Sequence, residues 1–306
     1  MGADTGQALY DETAARASSV VLSRYSTSFG LGTKLLGARA RHGIEAVYAL
    51  VRIADEIVDT RRGTDAGPLL DEFEAQTARA LESGYSTNLV IHAFARTAHQ
   101  VGIGHAEIDP FFASMRMDLT VLVHDRASYE RYVYGSAEVI GLMCLAVFLD
   151  AARGPGDRVA ERGPLDAVAA PDAGLRAGAQ ALGAAFQKIN FLRDLGADYG
   201  ELGRSYFPGV TPDTLDQAAL DEILAEIAAD IATARASLPG LPRRARWAVA
   251  STLGLYDRLT TELAATPPAE LLARRVRVPG PTKLAIVARS IGHEIAIEAR
   301  TTRGVR

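Results

Sequence analysis

The chain has little cysteine and no long apolar run. Cys144 is the single cysteine among 306 residues, so no internal disulfide can form, and its apolar surroundings from Val139 to Leu149 predict a buried thiol. The longest apolar run, VIGLMCLAVFL, reaches about half of the roughly 20 residues that cross a bilayer as a helix, so we expect a core helix. The first residues are acidic and mixed, unlike a signal peptide. We expect a cytoplasmic protein that is not secreted, and peripheral membrane contact stays open.

The signals of several partners and cofactors are also missing. No block of lysine and arginine stands out, and the formal net charge is −4, so we expect no nucleic-acid partner. No glycine-rich loop follows a strand-like segment, which disfavours a nicotinamide cofactor. The six histidines share no metal-ligand spacing with Cys144, so we expect no zinc site.

Strand patterns are scarce as well. Long stretches rich in Ala, Leu, Glu and Arg recur between short clusters of Gly and Pro, which predicts an all-α protein of about ten helices. The longest interruption, residues 153–174, could separate two domains, but the segments on its two sides carry complementary chemistry. We therefore predict one domain over residues 1–306, in which about the first 20 residues are a candidate for disorder.

The segment GIEAVYALVRIADEIVD, residues 43–59, is the first with a chemical signature. On a helix, Asp55 and Asp59 are four residues apart and share a face with Arg52 and Tyr48. Apolar residues between them indicate that much of this helix is buried. Two carboxylates about 6 Å apart repel by roughly 3 kcal/mol at an effective dielectric constant near 20, so something should compensate for them. A solvated face of Asp–Arg pairs is the alternative for this segment taken alone.

The segment LGAAFQKINFLRDLGADYG, residues 182–200, strengthens the functional interpretation. At about 100° per residue, four polar side chains fall on one narrow helical stripe. They are Gln187, Asn190, Asp194 and Asp198. Apolar residues flank the stripe, as expected for a polar face that lines a cavity within a helical bundle. We expect Arg193 to point about 100° away from Asp194, towards a neighbouring helix or the rim.

Paired across a cavity, the two stripes predict a small cluster of Mg²⁺ ions, about two or three. Mg²⁺ prefers carboxylate oxygens, keeps part of its water and takes further ligands from phosphates. Such a cluster would neutralise a diphosphate and stabilise it as a leaving group. The cavity walls would be apolar, because an allylic carbocation must be kept from water while it reacts.

Six blocks of sequence together resemble the squalene and phytoene synthase family of head-to-head isoprenoid synthases, and bacterial phytoene synthases in particular. They span the chain from about Arg24 to Lys283, and their order and spacing are more specific than either aspartate motif. The blocks are RYSTSFG (24–30), YALVRIADEIVD (48–59), MRMDL (115–119), YVYGSAEVIGLM (132–143), FQKINFLRDLGADYGELGRSYFP (186–208) and RRVRVPGPTK (274–283).

The resemblance implies an all-α isoprenoid-synthase helical bundle around a central apolar cavity, with two facing aspartate-rich helices. The implied metal ligands are Asp55, Asp59, Asn190, Asp194 and Asp198. The implied catalytic residues are Tyr48, Arg52, Tyr132, Gln187 and Arg193. The implied substrate contacts are Ser28, Phe29, Tyr256, and either Arg274 or Arg275.

Some residues also have simpler structural interpretations. Ser28 fits a helix cap, and Tyr132 fits a core aromatic residue with a satisfied hydroxyl group. Asp118 is a candidate to pair with Arg116 or with another helix's arginine. Glu138 stands where many relatives have a small residue. Its apolar setting requires a partner, so we take it as a candidate substrate contact, with a buried ion pair as the alternative.

The leading hypothesis is a Mg²⁺-dependent phytoene synthase that joins two geranylgeranyl diphosphates through a cyclopropyl diphosphate intermediate. Two alternatives keep the diphosphate site. One is a phytoene-synthase-like prenyltransferase that attaches a short prenyl group to an aromatic small molecule, and the other is a C15-using dehydrosqualene or squalene synthase. A catalytically silent helical binding protein is the last hypothesis, and the intact acidic stripes argue against it.

Overall fold

A computed structural model describes residues 3–26, 28–60, 65–153 and 172–304. These residues form thirteen α-helices and no strand, which confirms the all-α prediction. The helices are α1 (Ala3–Tyr25), α2 (Ser28–Thr33), α3 (Ala38–Thr60), α4 (Ala66–Ser83), α5 (Leu89–Val101), α6 (His105–Thr120), α7 (Arg126–Val133), α8 (Val139–Ala151), α9 (Ala173–Leu202), α10 (Gln217–Ser237), α11 (Arg243–Ala264), α12 (Pro268–Ala273) and α13 (Gly280–Gly304).

The N-terminal segment, which the sequence made a candidate for disorder, is helical from Ala3 to Tyr25. Helix α1 packs against α3 and α5. Ala14 and Ser18 are fully buried there, and Ala14 packs with Ala46 and Ala93. Because these buried residues are small, α1 lacks the stripe of large apolar side chains that would have revealed its packed face.

The buried apolar residues form two large clusters, one built mainly from α3 to α6 and the other mainly from α9 to α13. Helix α8 contributes to both. An apolar cavity lies where they meet, since Leu36 and Ile44 of one cluster and Leu145 and Val249 of the other line it. The cavity is therefore central to the packing of the described helices.

Helices α8 and α9 run antiparallel at very close range. A Cβ atom at Gly141 would lie 2.1 Å from the carbonyl oxygen of Ala179, and one at Gly183 would lie 2.3 Å from that of Ala137. Gly141 of α8 thus lies against the backbone of α9, and Gly183 of α9 lies against the backbone immediately before α8. This contact requires glycine at both positions and fixes which residues of the two helices face each other.

A π-helical turn, Tyr134–Glu138, joins α7 to α8 into one continuous helical run. Residues 126–151 are long and apolar enough to span a membrane by length and composition. However, 61% of the most apolar window is buried inside the protein, as in the core helix of a soluble protein. The structure therefore gives this run the role of a core helix, as the sequence predicted.

Helix α9 ends at Leu202 and is followed by Gly203, whose φ of 66° lies in the left-handed region that favours glycine. The amide of Gly203 donates to the carbonyl oxygen of Tyr199 at 2.9 Å, which closes the helix. The reversal returns the chain towards α6, where the amide of Ser205 donates to the carbonyl oxygen of Leu122 at 2.7 Å. Arg204, between these two bonds, is thereby placed among the carboxylates described below.

The close contact of α8 and α9 can be tested with Gly183→Ala. The added methyl group meets backbone, which cannot yield easily, so we expect unfolding free energy to fall by about 1–3 kcal/mol. Gly67→Ala in α4 is the control, because a Cβ there has nothing within 4 Å and alanine favours helix. Urea unfolding followed by circular dichroism measures both. Equal stability of the two variants would contradict the close contact.

Candidate active site

The central cavity has a volume of about 250 Å³ and mostly apolar walls. Four predicted site residues line it: Phe29, Tyr48, Gln187 and Asn190. The rings of Phe29 and Tyr48 stack with their centroids 5.8 Å apart. Cys144 also lines the cavity, where it is partly buried and not fully buried as predicted; desolvation raises the pKa of its thiol to about 12, so the thiol stays protonated. The site thus has the apolar walls that the sequence predicted.

The first acidic stripe lies on α3 as predicted. Arg52 makes an ion pair with Glu56 and lies 3.8 Å from Asp55, measured from Nη1 to Oδ2. Its guanidinium carbon also lies 4.5 Å from the ring centroid of Tyr25 in α1. Arg52 is therefore fixed from two sides, and its main partner, Glu56, lies outside the predicted stripe.

The second acidic stripe lies on α9. Arg193 donates from Nε to Oδ1 of Asp194 at 3.0 Å, so the expectation that it points away from Asp194 is wrong. A long guanidinium side chain can bend back to its neighbour, which a helical projection of Cβ directions does not show. Arg275 also reaches Asp194, with Nε 2.7 Å from Oδ1. Arg274 instead pairs with Glu270 on the surface, so of these two arginines it is Arg275 that lies beside the second acidic stripe.

The two acidic stripes face each other within electrostatic range. Burial raises the pKa of Asp55 to about 7, with further contributions from Asp59 and Asp118. Burial also raises the pKa of Asp198 to about 6, and both Asp194 and Asp59 add to this shift. The contacts of Arg204 show the same convergence: its Nη1 donates to Oδ1 of Asp59 in α3, and its amide donates to the carbonyl oxygen of Asp198 in α9 at 3.3 Å. The two stripes therefore meet at the end of the cavity that Tyr48 and Asn190 line.

Arg204 is a site residue that sequence reasoning missed. Its Nη1 donates to Oδ1 of Asp59 at 2.9 Å, and its Nη2 donates to the carbonyl oxygen of Asp118 at 2.6 Å. The hydroxyl of Tyr132 lies 2.9 Å from both carboxylate oxygens of Asp118. Asp118 thus pairs with Arg204, which lies in the segment after α9, whereas the sequence predicted Arg116 or an arginine of another helix as its partner. Arg204 belongs to the motif GRSYFP, which is part of one of the six blocks that resemble the family. The positive charge within this motif is the sequence signal for Arg204.

Tyr256 and Glu138 lie differently with respect to the cavity. The ring of Tyr256 stacks on that of Phe186, a lining residue, with centroids 3.8 Å apart, so Tyr256 supports the cavity wall. Glu138 accepts a hydrogen bond from Nε2 of Gln180 at 3.0 Å and is not among the lining residues. Glu138 thus contacts an amide group. It neither forms the predicted ion pair with an arginine nor faces the cavity. The side chain of Ser28 lies outside the described residues.

The donor set fits Mg²⁺ shared between protein and substrate. In the described part of the chain, no three His, Cys, Asp or Glu side chains lie close enough together to hold a metal ion by themselves. Mg²⁺ does not need such a group, because it is usually held by one or two carboxylates, waters and substrate phosphates. Asp55 and Asp198, with their raised pKa values, are carboxylates whose ionised form a cation would stabilise.

Residues 22–282 match the sequence model of a family described as squalene/phytoene synthase. The chain belongs to the squalene/phytoene synthase family. It is therefore a prenyltransferase, as its relatives in this family are.

Two phytoene synthases and one solved structure illustrate the similarity of this squalene/phytoene synthase family member to known proteins. A 15-cis-phytoene synthase of Synechocystis is 31% identical over 289 residues, which cover 86% of this chain and 80% of the relative. A chloroplastic phytoene synthase of Zea mays is 29% identical over 304 residues, which cover 92% of this chain, and the chain spans 66% of the plant protein. A dehydrosqualene synthase with bound ligand superposes with a TM-score of 0.74 at 20% identity, covering 94% of this chain and 98% of that structure. This superposition confirms the isoprenoid-synthase helical fold.

The raised pKa of Asp55 predicts how stability depends on pH without divalent cations. A carboxyl group whose pKa is raised by folding binds more protons in the folded state, so its contribution to stability falls as pH rises from about 4 to about 7. We expect Asp55→Asn to stabilise the metal-free protein at pH 8 and to lose this advantage towards pH 4. Urea unfolding in EDTA at both pH values measures the difference.

Glu56→Gln on the same helix is the matched control with the opposite sign. Hydrogen bonds from Thr60 and Arg52 lower the pKa of Glu56, so its carboxylate stabilises the folded protein above about pH 4. We expect Glu56→Gln to destabilise the protein at pH 8. If Asp55→Asn were also destabilising at pH 8, the proposed repulsion at the site would be contradicted.

Proposed function

We propose that the protein is a Mg²⁺-dependent phytoene synthase that condenses two geranylgeranyl diphosphates head to head, through a cyclopropyl diphosphate intermediate. The observation that supports this most is the convergence of two acidic stripes at one end of an apolar cavity. The relatives named as phytoene synthases support the choice of a C20 donor and a role in carotenoid biosynthesis.

Five residues would hold two or three Mg²⁺ ions: Asp55, Asp59, Asn190, Asp194 and Asp198. Bound Mg²⁺ would supply positive charge that stabilises the departing diphosphate. The paired arginines of α9 and of the segment after α12 have a related task. Arg193 and Arg275 already converge on Asp194, and their guanidinium groups are suited to donate to diphosphate oxygens once the substrate arrives.

The remaining residues would orient the prenyl chain and shield the carbocation. Phe29 and Tyr48 present stacked rings at the cavity wall, and an aromatic face attracts a cation. The apolar walls exclude water, which would otherwise capture the cation as an alcohol. Tyr132 acts through Asp118, whose carboxylate it binds, and Arg204 links that carboxylate to α3. We propose that these three position the first acidic stripe.

Product analysis tests the proposed reaction. We expect purified protein with Mg²⁺ and geranylgeranyl diphosphate to give a C40 hydrocarbon, with no requirement for a nicotinamide cofactor. Parallel incubations use the C5 donor with aromatic acceptors and the C15 donor. A C30 product alone would replace the proposal by a dehydrosqualene or squalene synthase, and a prenylated aromatic product by the aromatic prenyltransferase. No Mg²⁺-dependent turnover of any donor would favour a silent binding protein.

The two neighbouring arginines provide a matched pair for testing diphosphate recognition. Arg275 contacts Asp194, whereas Arg274 pairs with Glu270 outside the site. We expect Arg275→Ala to raise the KM for the prenyl diphosphate about tenfold or more, because charge-assisted hydrogen bonds are lost. Arg274→Ala should stay within about twofold of the native KM, since exposed ion pairs contribute little. Similar KM values for the two variants would contradict the assignment of Arg275.

A further inference from the structure

The apolar cavity has a definite long axis. Its lining residues on α9 follow one helical face from Asn190, beside the acidic stripe, to Leu175 in the first turn of the helix. At about 1.5 Å per residue, this face is ~22 Å long. The π-helical turn and helix α8 line the neighbouring wall from Ser136 to Phe148. The antiparallel contact of α8 and α9 places Phe148 at the same end as Leu175, so we call this cavity the tunnel.

Leu175 and Leu241 meet at the end of the tunnel that is remote from the aspartates. The 3₁₀ turn Leu238–Gly240 brings Leu241 to this end, where both leucines line the tunnel. Leu175 packs directly on the turn, since a Cβ at Gly240 would lie 3.0 Å from Cδ2 of Leu175. We call Leu175, Leu241 and Phe148 the tunnel floor.

The surroundings of the floor give a ligand little polar attraction. Ser237 is a polar lining residue at this end, but its hydroxyl donates to the carbonyl oxygen of Ala234 at 2.8 Å, within its own helix. A chain that enters from the acidic end would therefore meet methyl groups and one phenyl ring. A chain too short leaves the floor uncovered, and a chain too long collides with branched side chains.

We propose that Leu175 and Leu241 set the length of the prenyl chain that the tunnel accepts. This inference rests on the proposed function, because it takes the diphosphate to lie at the acidic end. Replacing both leucines by alanine removes about as many carbon atoms as one C5 prenyl unit contains. The double variant should therefore accept a donor that is one C5 unit longer.

Two further variants test the direction of the effect and its specificity. Ala179 lines the tunnel one helical turn closer to the aspartates than Leu175. The variant Ala179→Leu therefore shortens the tunnel and should favour a shorter donor. Leu263→Ala is the matched control, because Leu263 is fully buried in α11 and does not line the tunnel. It loses the same atoms as each floor variant and should leave the order of donors unchanged.

The first measurement is kcat/KM for C10, C15, C20 and C25 diphosphates with each variant. We expect Leu175→Ala with Leu241→Ala to raise the ratio for the next longer donor over the native optimum about tenfold. Ala179→Leu should change the ratio towards the next shorter donor. Leu175→Ala alone, at a partly buried residue, keeps the test valid if the double variant unfolds. Folded, active floor variants with the native order of donors would overturn the proposal.

The second measurement does not need turnover. Saturated alkyl diphosphates of the same lengths cannot form an allylic cation, so the Tm shift that each produces with Mg²⁺ reports binding alone. We expect the chain length with the largest shift to move with the floor in both directions. If this optimum moves but the native protein turns over no donor, the floor stands and the proposed function fails. An unmoved optimum, or no stabilisation at any length, overturns the floor.

Discussion

Repulsion among carboxylates at one end of an apolar cavity is the constraint on which the rest of the site depends. Guanidinium groups offset it at Asp59 and Asp194, and the pKa values of Asp55 and Asp198 are raised, so protons offset more of it as the pH falls. Neither compensation is permanent, since protons and side-chain hydrogen bonds can both be displaced. The same carboxylates are therefore available to cations, while the arginines become available to a phosphorylated ligand. Charge balance thus links the carboxylates of the site to the arginines around them.

The apolar half of the site depends on backbone rather than on charge. Gly141 and Gly183 let α8 and α9 approach closely, and the same two helices then form long walls of the tunnel. Larger side chains at these positions would separate the walls. The tunnel is thus held by helix contacts at its sides and by leucines at its floor, while the acidic end keeps its polar ligands. Under the proposed function, this division would let recognition of the prenyl chain and of the diphosphate be altered separately.

The sequence predicted the parts of the structure that depend on local spacing. Residues 43–59 lie inside α3 and residues 182–200 inside α9, and their polar stripes meet as expected from helical periodicity. What failed depends on long side chains or on distant contacts. Arg193 bends to its neighbour, and Arg204 reaches Asp59 only because the left-handed Gly203 reverses the chain. Such contacts are set by tertiary structure, and spacing along one helix does not reveal them.

The π-helical turn Tyr134–Glu138 determines the phase between two halves of one helical run. Before it, Tyr132 points to Asp118 and the acidic site, and after it, Ile140 and Cys144 face the tunnel. A π turn contains about one residue more than an α turn, which corresponds to a rotation of roughly 100°. Deletion of a single residue there would rotate the wall of α8 relative to Tyr132 without changing the chemistry of any side chain. The gain or loss of one codon at this turn during evolution would thus be enough to change the shape of the tunnel.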